Sequence, residues 1–215
     1  MTAMILAAGL GSRMRPLTDK KPKPLLEVGG KPLIVWHIEA LKKAGFNTIV
    51  INVAYLGSQI ISYLGDGSKF GVNIVFSDEQ HEGPLETAGG IVKALEHLSD
   101  TFLVVNGDIW TDYQFRYDYT LEKGMLAHLI LVENPEHHPK GDFLLTGTQN
   151  RYTFSGIGYY SKEMFKALKY GTAPLAPLLF DAQGQKKLTT ALYQGDWYDI
   201  GTPERLRFIN EKLSV

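Results

Sequence analysis

The residues best suited to chemistry crowd the start of the chain. Between Ile5 and Leu26 the sequence reads ILAAGLGSRMRPLTDKKPKPLL, an apolar run broken at Gly9 and Gly11 and followed by Arg13, Arg15, Lys20, Lys21 and Lys23 among prolines. Glycine lets the backbone approach a ligand closely, and successive backbone N–H groups can form an anion-binding nest. Arginine adds a planar fork that matches phosphate oxygens, and lysine adds a compact point charge. Bare backbone beside two cationic contacts, Arg13 and Lys23, suits a ligand with two separate phosphate groups. The stretch is neither of the two commonest phosphate loops. Gly9-Leu-Gly11-Ser-Arg-Met lacks the third glycine of a dinucleotide fingerprint, and G-x-x-x-x-G-K-[ST] is absent. The plain alternative is a glycine turn followed by a solvated basic loop.

Two acids are the next candidates. Asp108 closes VVNGD and Asp199 lies in WYDIGTPERL. Carboxylates are hard oxygen donors, and Mg²⁺ is held by one or two of them while it keeps substrate phosphates and waters for its other positions. Spacing alone does not pair these two, and a lone Asp at a strand end is commonly a turn former or a helix cap. His137 and His138 are adjacent, so on an extended chain they point apart and do not read as a metal pair. His37 sits inside an apolar helical pattern and reads as a packing residue. Trp36, Trp110 and Trp197 read as core or pocket wall.

Positioning these groups requires a scaffold, and the hydrophobic pattern supplies one. AMILAA, NTIVINVAY, VNIVFSD, TFLVVNGD and LAHLILVEN read as buried strands. PLIVWHIEALKKAG, SQIISYLG and LETAGGIVKALEHL read as helices between them, with Ser58 as a cap for the second. Strands alternating with helices imply βαβ units and a largely parallel sheet, in which ligands bind outside the strands' carboxyl ends. After Asn134 the pattern changes. GDFLLTG and YTFSGIGYY read as an antiparallel insertion, SKEMFKALK as a helix capped by Ser161, and TTALYQGDWYDIG as a strand. TPERLRFINEKL closes as a helix with Thr202 at the N-cap and Pro203 at the first helical position.

LAAGLGSRMRPLTDKKPKPLL resembles the signature of the sugar-1-phosphate nucleotidyltransferases, L-A-A-G-x-G-[ST]-R-[ML]-x-P-L-T followed by P-K-P. The likeness continues through GPLETAGGI, VVNGDIWTD, HHPKGDF, FSGIGYY and WYDIGTPERL. It implies an α/β fold, Rossmann-like and three-layered, with a mixed but mostly parallel sheet of the nucleotide-diphospho-sugar transferase (GT-A-like) kind and a small antiparallel sugar-binding insertion. It also implies a single domain over 1–215. YLGDGSKFG, PLETAGGI, NGDIWTDY and NPEHHPKGDF are similar to the branch that acts on N-acetylmuramate 1-phosphate. That branch implies UMP transfer from UTP, with release of pyrophosphate, in peptidoglycan recycling. Mannose-1-phosphate guanylyl transfer and glucose-1-phosphate thymidylyl transfer are the neighbouring readings, and a silent nucleotide-sugar sensor is a third.

The resemblance also implies roles. Arg13 grips the β and γ phosphates, Lys23 holds the sugar phosphate, and Asp108 and Asp199 bind Mg²⁺. Leu6, Ala8, Gly9 and Gly11 approach the nucleotide with backbone, and Glu86, Thr87 and Gly89 face the base. Many relatives carry Gly-Thr or Gly-Leu-Ala where this chain has Glu86-Thr87-Ala88, so base choice stays open. Glu133, Asn134, Gly141, Asp142 and Ser155 fall on the sugar side. A sugar-phosphate oxygen is already mostly ionised at neutral pH, since its second pKa is about 6, so the reaction needs no protein base.

Composition fits this reading. The 215 residues carry 22 basic and 23 acidic side chains, a net charge of −1, which lacks the basic surface that non-specific nucleic-acid binding or a polybasic membrane patch requires. Cysteine is absent, which excludes disulfides and thiolate chemistry and fits the cytoplasm. The N-terminus lacks a basic leader before its apolar run, and no run approaches a membrane span. The expected protein is cytoplasmic, a monomer or weak homodimer, without an appended β-helix.

Overall fold

The computed structural model describes residues 1–83 and 85–214. In chain order the strands are β1 (Thr2–Leu6), β2 (Glu27–Val28), β3 (Lys31–Pro32), β4 (Thr48–Val53), β5 (Asn73–Asp78), β6 (Thr101–Asn106), β7 (Ile109–Thr111), β8 (Ala127–Val132), β9 (Phe143–Leu144), β10 (Arg151–Ser161), β11 (Leu188–Leu192) and β12 (Trp197–Asp199). The helices are α1 (Leu33–Lys43), α2 (Gly57–Leu64), α3 (Glu86–Ala94), α4 (Ala176–Gly184) and α5 (Pro203–Leu213).

The main sheet runs β11-β8-β10-β6-β1-β4-β5, with β9 paired to β10. β6, β1, β4 and β5 are parallel, β10 is antiparallel to both of its long neighbours, and β8 and β11 are parallel to each other. From β1 the chain steps outward to β4 and β5, then crosses back to β6 on the other side of β1. The two strands' carboxyl ends therefore diverge at a topological switch point, where an open α/β sheet forms its ligand crevice.

Both faces of the sheet are buried, which explains why the strands are apolar throughout rather than alternating. Along β1, Ala3 and Ile5 face a cluster with Ile34, Ile38 and Leu41 of α1, while Met4 faces Ile91 of α3 on the other side. A third cluster joins Met14, Leu26, Leu33, Trp110, Ile200, Leu206 and Ile209. It fastens the glycine loop, the start of α1, and the β12–α5 junction together. Burying a side chain such as Met14 contributes about 1.5–3 kcal/mol, enough to hold Arg13 beside it in place.

Several sequence expectations need amendment. Ser58 does not cap α2. Leu56 holds the N-cap position, and the Ser58 N–H donates to Gln80 Oε1 at 3.2 Å. SKEMFKALK forms a single 3-10 turn over Lys162–Phe165, although Ser161 does accept from the Glu163 N–H at 3.2 Å. TTALYQGDWYDIG is split: β11 edges the main sheet, while β12 leaves it to pair with β7. α4, over Ala176–Gly184, has no counterpart among the elements expected from the sequence. The β9–β10 hairpin is antiparallel as expected, and β10 continues beyond it into the main sheet between β6 and β8. α5 carries its Thr202 cap, which accepts from the Arg205 N–H at 3.4 Å. Among the described residues no helix is long and apolar enough to cross a membrane.

Candidate active site

A cavity of about 420 Å³ opens at the switch point. Leu6, Ala8, Gly9, Gly11, Arg13, Lys23, Glu86, Thr87 and Asp108, all expected from the sequence, line it. Its base is the contact between the loops that leave β1 and β6. The Gly107 N–H donates to the Leu6 carbonyl at 2.9 Å, and a Cβ at 107 would lie 2.5 Å from that oxygen. Gly11 adopts φ 63, so the loop reverses, and Thr18 Oγ1 donates to its carbonyl at 2.8 Å. A 3-10 turn, Lys23–Leu25, buries the Lys23 stem and delivers Nζ to within 2.8 Å of Asp108 Oδ2.

Two residues missed from sequence stiffen this cavity. The Ala7 N–H donates to Asn52 Oδ1 at 2.9 Å, and Asn52 Nδ2 donates to Glu79 Oε1 at 2.8 Å. Both side chains are buried and line the cavity. Burial pushes the Glu79 pKa up, against the lowering effect of the Asn52 hydrogen bond. The available signal was a polar residue at the carboxyl end of an apolar strand, as in TIVINV. The paired glycines of α3 have tertiary causes. A Cβ on Gly90 would lie 2.8 Å from Glu79 Oε1, and a Cβ on Gly89 would collide with the Gly171 carbonyl. Gly89 lies outside the cavity lining, and its N–H donates to the Ala173 carbonyl at 3.1 Å. Glu86, at the mouth, holds φ 58, an uncommon conformation for a residue with a side chain.

The β7–β12 ribbon brings Asp199 to Asp108. Asp199 pairs with Ile109, and the Ile200 N–H donates to the Asp108 carbonyl at 2.8 Å. Each acid already faces a cation: Asp108 faces Lys23, and Asp199 is bonded by Arg205 Nη1, with His137 Nε2 at 3.5 Å from its Oδ1. A Cβ placed on Gly201 would lie 3.0 Å from Asp199 Oδ2 and 3.7 Å from Arg13 Nη1. Behind Asp108, His37 is buried and its Nε2 has no hydrogen-bond partner among the described residues. Burial holds its pKa down at about 4, against the opposing effect of a hydrogen bond to the Ile109 backbone.

A second cavity, about 690 Å³, lies between the end of β8 and α5. Glu133 and Asn134, expected on the sugar side, line it with His137, Trp197, Tyr198, Asp199, Arg205 and Phe208. Gly141, Asp142 and Ser155 line neither cavity. They stand one contact behind. Asp142 accepts from the Phe154 N–H at 2.8 Å and pairs with His138 Nε2 at 2.8 Å. A Cβ on Gly141 would lie 2.7 Å from Asn134 Oδ1. The Ser155 carbonyl accepts from Trp197 Nε1 at 2.8 Å. The adjacent histidines do point apart, each to its own aspartate. Arg205 gave no sequence signal, because an arginine in the first turn of a polar helix is ordinary.

The donor set fits Mg²⁺. Two carboxylates carried on adjacent backbone beside a glycine-rich loop would leave the remaining positions to phosphate oxygens and water, as this ion prefers. Among the described residues no group of three or more His, Cys, Asp or Glu forms a protein cage. An ion that shares its shell with substrate does not require one.

The switch-point crevice, glycine loop, flanking cations and paired acids define an α/β protein built to hold a phosphorylated ligand. The comparisons with known proteins make the class specific. Residues 2–124 match the Nucleotidyl transferase family, and the chain belongs to that family. It is 51% identical to the N-acetylmuramate alpha-1-phosphate uridylyltransferase of Neisseria meningitidis serogroup B, over 96% of each chain. It is 30% identical to the mannose-1-phosphate guanylyltransferase catalytic subunit beta of Xenopus tropicalis, over 95% of this chain and 62% of that one. A solved Bacillus anthracis structure, assigned as a glucose-1-phosphate thymidylyltransferase, superposes with a TM-score of 0.86 at 24% identity, over 99% of this chain and 95% of that one, which shows the shared fold.

Proposed function

We propose that this chain transfers UMP from UTP to N-acetylmuramate 1-phosphate, forming UDP-N-acetylmuramate and pyrophosphate. The observation that supports the transfer chemistry is the β7–β12 pairing, which sets the backbone of Asp199, a lining residue of the second cavity, beside that of Asp108, a lining residue of the first. The sugar and the base are supported by the 51% identity to the Neisseria uridylyltransferase along nearly the whole chain.

In this reading UTP occupies the first cavity. Backbone from Leu6 to Gly11 approaches the nucleotide, Glu86 and Thr87 border the base, and Arg13 holds the outer phosphates. The sugar occupies the second cavity against Glu133 and Asn134, with its phosphate directed to Lys23. One phosphate oxygen of the sugar attacks the α phosphorus. The bond from that phosphorus to the oxygen bridging to the β phosphate breaks, and pyrophosphate departs with the electron pair. The attacking oxygen is already ionised, so the protein's task is in-line positioning and stabilisation of charge. Asp108 and Asp199 would hold Mg²⁺, which when bound supplies positive charge to the reacting phosphates. Lys23 and Arg205, each paired with one of those acids, would offer positive charge to an anionic substrate.

A cysteine-free chain with a nucleoside triphosphate substrate fits a cytoplasmic place in peptidoglycan recycling. The test is Mg²⁺-dependent pyrophosphate release across a matrix of nucleotides and sugar 1-phosphates. Selective turnover of UTP with N-acetylmuramate 1-phosphate is expected. Turnover confined to another pair would overturn the substrate assignment, and binding without turnover would indicate a sensor.

A further inference from the structure

We infer that Arg205 reads a carboxylate on the sugar and so selects an acidic sugar 1-phosphate over its neutral counterpart. This rests on the function proposed above, because N-acetylmuramate is N-acetylglucosamine carrying a lactyl ether that ends in a carboxylate.

The second cavity has an uneven charge. Glu133, Glu136, Asp199 and Glu204 line it, and Arg205 is the only Lys or Arg among its described lining residues. Carboxylates suit a sugar's hydroxyl and amide N–H donors. They repel an anion, so an acidic substituent has one permanent cation to settle against. Guanidinium binds carboxylate through paired N–H donors in a fixed fork. Among the described residues the side chain of Arg205 makes one hydrogen bond, through Nη1 to Asp199 Oδ2. Its other donors remain for a ligand. The side chain is only 28% exposed, so its charge is less screened than a surface arginine's.

Local structure fixes the position. Thr202 caps α5 and Pro203 opens it, which places Arg205 in the first turn, with Leu206 and Ile209 anchored in the cluster below. Trp197, Tyr198 and Phe208 give the same cavity an apolar wall for ring and methyl carbons. His137, on the far side of Asp199, adds charge only when protonated. Arg205 thus has a positioning contact with a metal-site acid and a free face towards the sugar. The two roles predict different kinetics: loss of the contact alone lowers turnover of every sugar equally, whereas loss of the free face changes the ratio between sugars.

The experiment compares kcat/KM for N-acetylmuramate 1-phosphate and N-acetylglucosamine 1-phosphate, with UTP and Mg²⁺, in wild type, Arg205→Met and Arg205→Lys. Equilibrium binding of the two UDP-sugar products gives the same comparison without turnover. Arg205→Met is expected to reduce the acidic-to-neutral preference at least about tenfold, as loss of a charged hydrogen bond does, and Arg205→Lys to retain part of it. Wild type assayed with the sugar phosphate amidated at its lactyl carboxyl should show the same loss, a check that needs no variant to fold. An unchanged ratio in Arg205→Met, or full activity on the amide, overturns the role of Arg205 alone. Wild type that does not use N-acetylmuramate 1-phosphate overturns the proposed function, and this inference with it.

Discussion

The two cavities are built from different materials. The one at the switch point combines small residues, Ala7, Ala8, Gly9, Gly11, Ser12, Gly107 and Gly201, with charged ones such as Arg13, Lys23 and Asp108. The one beside α5 is walled by large side chains, among them Trp197, Tyr198, Phe208, Glu133 and Arg205. The first cavity's glycines are held by the fold, because a Cβ on Gly107 would meet the Leu6 carbonyl of β1 and one on Gly11, at φ 63, would meet Thr18 and Lys23. A side-chain wall can be exchanged residue by residue. In the proposed reading this arrangement keeps the phosphate end constant and leaves the sugar end open to exchange, with Asp108 lining the first cavity and Asp199 the second.

The largest effect should come from those two acids. Asp108→Asn and Asp199→Asn are each expected to lower kcat by about two to three orders of magnitude while the circular dichroism spectrum stays that of the wild type. A folded variant with near-normal turnover would end the metal assignment for that residue. Such a result at Asp199 alone would confine the metal to the first cavity.

The wall behind Asp108 can be tested through pH. His37 has a folded pKa of about 4, below the 6.5 of an exposed histidine. Between those values the unfolded chain binds more protons, so stability is full above pH 6.5 and falls as the pH drops towards 4. The loss from this one group amounts to about 3 kcal/mol. Urea unfolding at pH 7 and pH 4.5 should show that part of the slope in wild type and not in His37→Leu. An identical slope in both would place the acid sensitivity elsewhere.

A smaller change separates the cavities kinetically. Asn52→Ala leaves the buried Glu79 carboxylate and the Ala7 N–H without their partner, at a cost of about 1–3 kcal/mol. It should raise KM for UTP more than KM for the sugar phosphate, because Asn52 lines only the first cavity. Equal changes in both constants would show that the cavities are not separable. The smallest effect is at the α5 cap. Thr202→Ala should cost about 1 kcal/mol, read as a lowered Tm, with a modest loss of sugar preference as Arg205 loses its fixed turn.

The first cavity was legible because its chemistry is contiguous. Gly9, Gly11, Arg13 and Lys23 stand within one short stretch, and the residue types alone imply anion binding. The parallel strands were legible from their apolar runs, and α5 from Thr202 and Pro203. The second cavity was much less so. Its lining residues come from the end of β8, the β11–β12 connection and α5, and nothing local marks His137, Tyr193 or Arg205 as neighbours. Gly89 is expected from the sequence to face the base, and Gly90 stands beside it. Their requirement comes from the Gly171 carbonyl and the Asn52–Glu79 pair, which only a folded chain brings near. The passage of β10 from hairpin into main sheet was equally hidden, since an apolar run does not state its partners.

By itself, then, the sequence determined the periodicity of the strands, the glycine loop with its cations, and the caps at Ser161 and Thr202, because each depends on residues a few positions apart. Only the tertiary structure decided that Asp199 meets Asp108, that Arg205 faces the second cavity, and that Asn52 joins the glycine loop to Glu79. These depend on β12 leaving the main sheet to pair with β7 and on the crossover that sets β1 between β4 and β6. Pairing of that range is fixed by the burial of both sheet faces and of the Met14–Ile200 cluster, a property of the whole packed chain.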